Sequence, residues 1–398
     1  MKNEIQTYAW GSRTAIADLC GLPSPSATPQ AELWMGAHPR APSQVSVDGR
    51  WMPLDRFIAA DPAAVLGARV AQRFNSRLPY LLKILAVEKP LSVQAHPDAR
   101  QAAEGFAREN AAGIAMDAPN RNYKDPSGKP EIICAVTDFY GLNGFRPEKD
   151  IRDNLAAYCP RLCSLMPKAS TAAAAGSDDD QRLRDLYRFV MTLPLGLQRQ
   201  VTADCLNHLD GADPVLEDWI QRLSDAYPGD IGIISTLLLN FVHLKPGEAM
   251  YLPAGQLHAY LEGTGIELMA NSDNVLRGGL TPKHIDVPEL LRILRFAPTT
   301  VERLTCRRRN AQMCRYDTPA AMFQLSVIRT QGGDAYTAKP SGGPQILLAA
   351  AGEATVSWGG GQRQLILTKG SSALVPAVVK GYRVSGDAVI YVASVPTD

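Results

Sequence analysis

Apolar and polar positions along the chain follow two different rhythms. Up to about residue 146 the apolar residues come in short runs, LPYLLKILAV, LSVQA, EIICAV and FYGLNGF, broken by Gly, Pro and Asp clusters. Such runs predict many short strands joined by turns. From Glu148 to about Tyr227 the period lengthens: KDIRDNLAAYCPRLCSLM, QRLRDLYRFVMTL and PVLEDWIQRLSDAY place apolar residues three and four apart, which predicts helices. The stretch KASTAAAAGSDDDQ separates two of them, and its Asp178-Asp179-Asp180 run reads as a solvated helix start rather than a cation site. Strand texture returns in ISTLLLNFVHL and YLPAGQLHAYLEGTGIELMA. HIDVPELLRILRF then predicts one more helix, with Pro288 tolerated in its first turn, and short strands follow from about Pro298. The pattern predicts a mainly β protein with a helical insertion. Its expected units are a discontinuous β domain over residues 1–147 and 229–298, helices over 148–228, and a second β domain over 299–398.

An internal similarity supports the second β domain. The stretch LKPGEAMYLPAGQLHAYLEGTGIELMA aligns without gaps to LTKGSSALVPAVVKGYRVSGDAVIYVA when Gly247 is placed on Gly370. Pro253 then meets Pro376, Gly263 meets Gly386, and the apolar alternation stays in phase, but His258 falls on Gly381. Metal is therefore expected in the first domain alone.

The candidate chemistry sits in four segments. The spacing Gly247-x5-Pro253-x-Gly255-x2-His258-x3-Glu262 reproduces the second motif of cupin β-barrels, with Glu in place of the usual terminal Asn. Its Gly and Pro residues shape the turns between barrel strands so that His258 points inward, as a metal ligand or as a packed core histidine. In LSVQAHPD, Gln94 and His96 are two apart on a predicted strand and share a face. In GKPEIICAV, Glu131 opens an apolar strand behind Lys129 and Pro130, and a carboxylate there is costly unless paired or metal-bound. Gln94, His96, Glu131 and His258 together would form an N/O site suited to zinc, and equally to Mn, Co or Fe. The fourth segment, NSDNVLRGGLTPKHIDVPELL, carries Asp273, Arg277 and Lys283 in a turn-prone loop, where the cations either meet a phosphate at the barrel mouth or stand solvated.

Bulk properties narrow the classes. At 398 residues the chain exceeds what one hydrophobic core usually serves. Its 41 basic and 40 acidic residues balance to +1, so nothing global attracts nucleic acid or a membrane, and an anionic ligand needs a local cluster. No apolar segment reads as a secretory signal or reaches bilayer length. Seven cysteines are scattered without a CxxC pair, so reduced thiols in a cytoplasmic protein are expected, and Cys159 and Cys163 read as idle or buried thiols rather than a second metal site. His38, His208 and His243 read as structural, His284 as the approach to a helix, and Trp10 and Trp34 as core anchors, with sugar stacking left open for Trp10.

These segments, together with YAWGS at Tyr8, AELWMGAHP at Ala31, YGLNGFR at Tyr140 and ANSDNVLRGGLTPKHIDVPELL from Ala270, resemble the type I mannose-6-phosphate isomerase family over nearly the whole chain to about residue 295. The resemblance implies a cupin-like, jelly-roll β-barrel core with a second, degenerate barrel at the C-terminus. It implies one zinc ion per chain bound by Gln94, His96, Glu131 and His258, Arg277 as an active-site residue, and Ser92, Lys129, Asp273 and Lys283 lining the pocket. The implied reaction interconverts mannose 6-phosphate and fructose 6-phosphate through an enediol, with Lys129 or Asp273 as base, Arg277 stabilising charge, and Ser92 and Lys283 anchoring phosphate. The expected setting is a cytoplasmic monomer. Family members usually carry Asn-His before Lys-Pro-Glu, whereas this chain has Ser127-Gly128, so a proton-transfer role for that histidine has no counterpart here. Two other classes fit parts of the pattern: an Fe-dependent cupin oxidoreductase, which would favour a more histidine-rich ligand set, and a non-enzymatic sugar-phosphate-binding cupin, which would not need the cluster of Lys129, Asp273, Arg277 and Lys283.

Overall fold

The computed structural model describes residues 1–166, 179–211 and 213–396; most of the linker, including Asp178, lies outside them. One strand organises the first β unit. His258–Ala270 pairs through Gly263–Ala270 with Tyr80–Val87 and through Gly265–Met269 with Glu131–Ala135. Its first half turns away to pair with Gln94–Ala95 and Phe139–Phe145. The change of wall occurs at Gly263, where φ is +123° and an added Cβ would lie 2.5 Å from the Asp138 carbonyl oxygen, so only glycine fits. The two walls face each other as in a cupin jelly roll, and the hydrogen-bonded ladder stays open rather than closing round.

The second β unit repeats this construction in an eight-stranded sheet. Tyr382–Ser394, the counterpart of His258–Ala270 in the internal alignment, is also 13 residues long, and Gly386 has φ +110° where Gly263 has +123°. Strand alternation sends residues to two different cores. Glu131, Ile133 and Ala135 face the interior of the first unit with Leu85, Val87, Phe139 and Tyr260. Ile132 and Cys134 face the other way, into a core shared with Leu325, Val327, Ile346 and Leu348 of the second unit. The two units are thus packed back to back, and Tyr316 Oη, 3.1 Å from Cys134 Sγ and donating to the Gly247 carbonyl, ties them within that core.

The predicted helical block forms Glu148–Tyr158, Pro160–Leu165, Asp179–Met191, Leu195–Asn207 and Pro214–Ala226. Apolar stripes such as Trp219, Ile220 and Leu223 pack with Leu142, Ala259 and Leu261 on the outer face of the wall that carries His258. Val287–Ile293 is the last helix, capped by Asp286 and with Pro288 in its first turn as expected.

Two expectations are corrected. The N-terminal stretch predicted as strands alone also contains the helices Leu54–Ala60, Pro62–Leu66, Ala68–Arg73 and Ala99–Ala111. The last is started by a capping box in which Asp98 accepts from the Gln101 amide and Gln101 answers to the Asp98 amide. Nor are all seven cysteines free: Cys306 and Cys314 form a disulfide with Cα atoms 5.3 Å apart. The hairpin register that pairs Arg307 with Arg315 and Arg308 with Cys314 makes Cys306 a diagonal neighbour of Cys314, a proximity invisible in their spacing. The other five cysteines are free.

Candidate metal centre

Backbone pairing builds the site as a row. His258 lies opposite Asn143 on one side and opposite Gln94 on the other, and Gln94 in turn lies opposite Arg277. Directly paired residues share a face with Cβ atoms about 4.5–5.5 Å apart, so these four side chains form one stripe across the wall. His96 is two residues from Gln94 on the same face, and its carbonyl accepts from the Gly255 amide at 2.8 Å, which fastens the strand to the turn preceding His258. Glu131 enters from the opposing wall.

His96, Glu131 and His258 offer ligand atoms that all lie within 4.8 Å of one another; among the described residues no other His, Cys, Asp and Glu group does so. Glu131 Oε2 is 3.4 Å from His96 Nε2 and 3.7 Å from His258 Nε2. All three residues are at most 2% exposed, and among the described residues none of these three atoms has a hydrogen-bond partner. Such orphaned buried atoms are rare and aim at something else. His96 Nδ1 is 2.8 Å from the Asn274 carbonyl and His258 Nδ1 is 3.0 Å from the Gln256 carbonyl, contacts that place a proton on each Nδ1 and leave a lone pair on each Nε2. Burial lowers both imidazoles from their ordinary value, His258 to about 4, so both are neutral at physiological pH. Burial would raise the Glu131 carboxyl, but its net shift is well downward, and with both imidazoles neutral the counter-charge that keeps it ionised is Lys129, 3.0 Å away. Two neutral imidazoles and a carboxylate whose ligand atoms converge without partners fit a divalent ion of the zinc class, and Gln94 lies next to His258 on the stripe.

The other predicted site residues surround this centre. Lys129 is buried, with Nζ 3.0 Å from Glu131 Oε1. Arg277 is half-buried, burial lowers its guanidinium from the ordinary value, and it forms no ion pair among the described residues. Lys283 is exposed, and partial burial together with the charges of Arg277 and Arg40 lowers its ammonium. Ser92 is half-buried between the Leu91 and Val93 amides, which bond to the Tyr260 and Gly279 carbonyls. Asp273 is 3.3 Å from His38 Nε2 and 2.9 Å from Arg40. Burial would raise its carboxyl, yet His38 and Arg40 outweigh this and hold it at about 2. Gly128 has no room for a side chain: an added Cβ would lie 2.7 Å from the Ala99 nitrogen. Away from the centre, Glu262 pairs with Arg222 of the helical insertion, His208 bonds to the Asp204 carbonyl, and His243 bonds to Asp138. Tyr8 and Trp10 stack with ring centroids 5.9 Å apart, and Trp10 packs against the interior core.

Sequence reasoning missed two contributors. Lys83 is buried inside the first unit with Nζ 3.4 Å from Glu32 and 3.1 Å from Glu267, and although burial would lower its ammonium, the two carboxylates hold it charged. The signal was a lysine within the apolar strand YLLKILAV, the same logic that singled out Glu131. Asn274, fully buried, accepts from the Lys124 amide and donates to the Asp125 and Ser127 carbonyls, holding the loop before Lys129 while its own carbonyl orients His96.

Comparison with known proteins agrees with this arrangement. The family model described as phosphomannose isomerase type I, catalytic domain, matches residues 1–148. The mannose-6-phosphate isomerase of Escherichia coli K12 is 40% identical over 392 residues, covering 96% of each chain. That of Macaca fascicularis is 33% identical over 399 residues, covering 94% of this chain and 92% of its own. Among solved structures, a zinc-bound holo form of mannose 6-phosphate isomerase superposes with a TM-score of 0.90 at 36% identity, over 99% of this chain and 98% of the other. A phosphomannose isomerase variant from Salmonella typhimurium gives 0.91 at the same identity and coverage.

Proposed function

The chain belongs to the type I phosphomannose isomerase family, and we propose that His96, Glu131, His258 and Gln94 hold the zinc ion of an isomerase that interconverts mannose 6-phosphate and fructose 6-phosphate. The observation that carries this is the convergence of three buried, partnerless ligand atoms beside an unpaired guanidinium. When bound, zinc orients and polarises the O1/O2 pair of the sugar.

The chain's own residues supply the rest. Moving a proton between C2 and C1 needs a positioned carrier and a partner for the developing oxyanion. Lys129 Nζ, buried beside Glu131, is the carrier we assign. Asp273 serves instead to hold His38 and Arg40 at the mouth, because a carboxylate whose acid has a pKa of about 2 is a weak base at neutral pH. Arg277 remains charged and faces the sugar from the position next to Gln94, where it stabilises the enediolate. Lys283 and Ser92 anchor the phosphate, with Arg40 contributing charge.

No helix among the described residues is long and apolar enough to cross a membrane. A cytoplasmic monomer acting on a small sugar phosphate, with neither nucleic acid nor membrane as partner, is the setting we assign. The proposed units remain 1–147 with 229–298, 148–228, and 299–398. A coupled assay of mannose 6-phosphate conversion, run before chelation, after it and after zinc is restored, tests the function: turnover is lost and then recovered. Turnover indifferent to chelation would exclude it.

A further inference from the structure

The second β unit kept the architecture of a ligand-binding barrel while losing its ligating residues. In the first unit, Glu131 is paired with Leu252 and Cys134 with Ala249. In the second, Gln345 is paired with Val375 and Leu348 with Ser372. The internal alignment places Leu252 on Val375 and Met269 on Val392; pairing with the first gives the ladder position of Glu131 to Gln345, pairing with the second gives it to Leu347, and Gly381 occupies that of His258. On either register neither the carboxylate nor the imidazole has an ionisable counterpart.

The space has not closed. A cavity of about 90 Å³ opens beside Gln345, lined by Ser326, Ser394, Tyr336, Tyr382 and Gln324, with Ile328 and Val392 on its apolar side. Gln324, Ser326 and Ile328 alternate along one strand, and Val392 and Ser394 along another, so the lining is the interior face of the barrel. The site is enclosed: Ser326 is 1%, Tyr382 6% and Ser394 8% exposed.

We propose that this cavity is a second binding site, distinct from the metal centre, for a small neutral polyol. Its chemistry selects by what it lacks and by what it leaves unpaired. No charged side chain lines it, so neither a metal ion nor a phosphate finds compensation there. Arg315 reaches Gln324 Oε1 only at 3.5 Å and is held at 3.2 Å by Asp317. Tyr382 Oη donates to Gln345 Oε1 at 2.9 Å, which turns that amide so that its nitrogen remains available. Tyr336 Oη has only the Met313 sulfur at 3.1 Å, a weak acceptor, and Ser394 Oγ reaches the Gln324 carbonyl at 3.5 Å, near the limit of a bond. Several donors thus face one space beside an apolar wall and two tyrosine rings whose centroids are 6.5 Å apart. Hydroxyl groups on a short carbon chain match both halves of that lining. With about 30 Å³ per water in the liquid, the volume holds about three waters or, on the same measure, one two-carbon diol.

The test uses the full, zinc-loaded chain and ligand-detected saturation-transfer NMR with ethylene glycol as the probe and 2-hydroxyethyl phosphate as the anionic comparator. The expected result is a saturable ethylene glycol signal that 2-hydroxyethyl phosphate does not displace and that His258→Ala leaves intact. Ser326→Val and Gln345→Leu each weaken it about tenfold, the equivalent of one lost hydrogen bond to a neutral group. Both variants keep isomerase turnover, which certifies their fold. A signal absent from the wild type, unsaturable, displaced by the phosphate or lost in His258→Ala overturns the proposal, and so does an unchanged signal in both pocket variants. Because the wild-type titration stands alone, failure of either variant to fold does not shelter the idea.

Discussion

Glu131→Gln isolates the charge at the metal centre from its shape. The amide keeps the length of the carboxylate and retains an oxygen that can accept from Lys129 Nζ, now 3.0 Å from Oε1. Among the described residues it removes the only anion within 4 Å of both imidazole Nε2 atoms, at 3.4 and 3.7 Å. Two effects follow with different sizes. Without metal, an ammonium buried to 7% exposure loses its counter-charge, but the carboxylate's own desolvation is relieved, so the chelated variant loses about 1–3 kcal/mol of stability. With metal, the loss is larger. Removing an outer-shell partner typically costs 10–100-fold in affinity, and a ligating charge exceeds that, about 10³-fold. At free zinc of about 100 times the wild-type Kd, the wild type gains about 2.7 kcal/mol from the ion, whereas the variant gains under about 0.1. Urea unfolding of both proteins, each in chelator and in buffered zinc, reads these four states. If Glu131→Gln gains the same stabilisation from zinc as the wild type, the carboxylate is not a ligand and the centre has been misassigned.

Three further outcomes follow. Arg277→Ala folds and retains zinc, with stability within about 1 kcal/mol because the guanidinium has no ion pair to lose, yet kcat falls about 10²–10³-fold; wild-type kcat would refute its role. In chelated protein, stability falls as the pH drops from 6.5 towards 4. Burial depresses the folded-state pKa of His258 to about 4, so the unfolded chain binds the proton first, the contribution is complete above 6.5, and about 3 kcal/mol is at stake; urea midpoints flat across that window would contradict it. Gly128→His, which restores the residue typical of the family, costs about 1–3 kcal/mol because its Cβ meets the Ala99 nitrogen at 2.7 Å and must displace the capped helix start; a variant as stable as wild type with higher turnover would show that the loop accommodates it.

How much of this was legible in the sequence depended on whether the information was local. The two-residue spacing of Gln94 and His96, the isolated carboxylate of Glu131 and the turn chemistry around His258 are local, and His96, Glu131 and His258 do bring ligand atoms within 4.8 Å of one another. The ungapped offset between the two β units was also legible, and the matching positive φ of Gly263 and Gly386 shows why it holds: both long strands change wall at the same point. What could not be read was pairing between distant segments. Arg277 stands next to Gln94 only because the short strands Leu276–Arg277 and Gln94–Ala95 pair, and residues 183 apart carry no mark of that contact. Asp273 read as a candidate base, and its spacing gave no sign that His38 and Arg40 lie against it. The disulfide between Cys306 and Cys314 follows from a hairpin register that their spacing does not encode. The helix Ala99–Ala111 is a different kind of miss: Asp98 and Gln101 announced it, but surrounding strand signals dominated the stretch.

Crystals of the zinc-loaded chain, with anomalous diffraction recorded on both sides of the zinc absorption edge, probe the metal centre itself. The expected map has one zinc peak per chain, about 2.0–2.2 Å from His96 Nε2, His258 Nε2, a Glu131 oxygen and the Gln94 side-chain oxygen. A fully occupied zinc peak elsewhere in the chain, with the space between those four residues empty, would contradict the account.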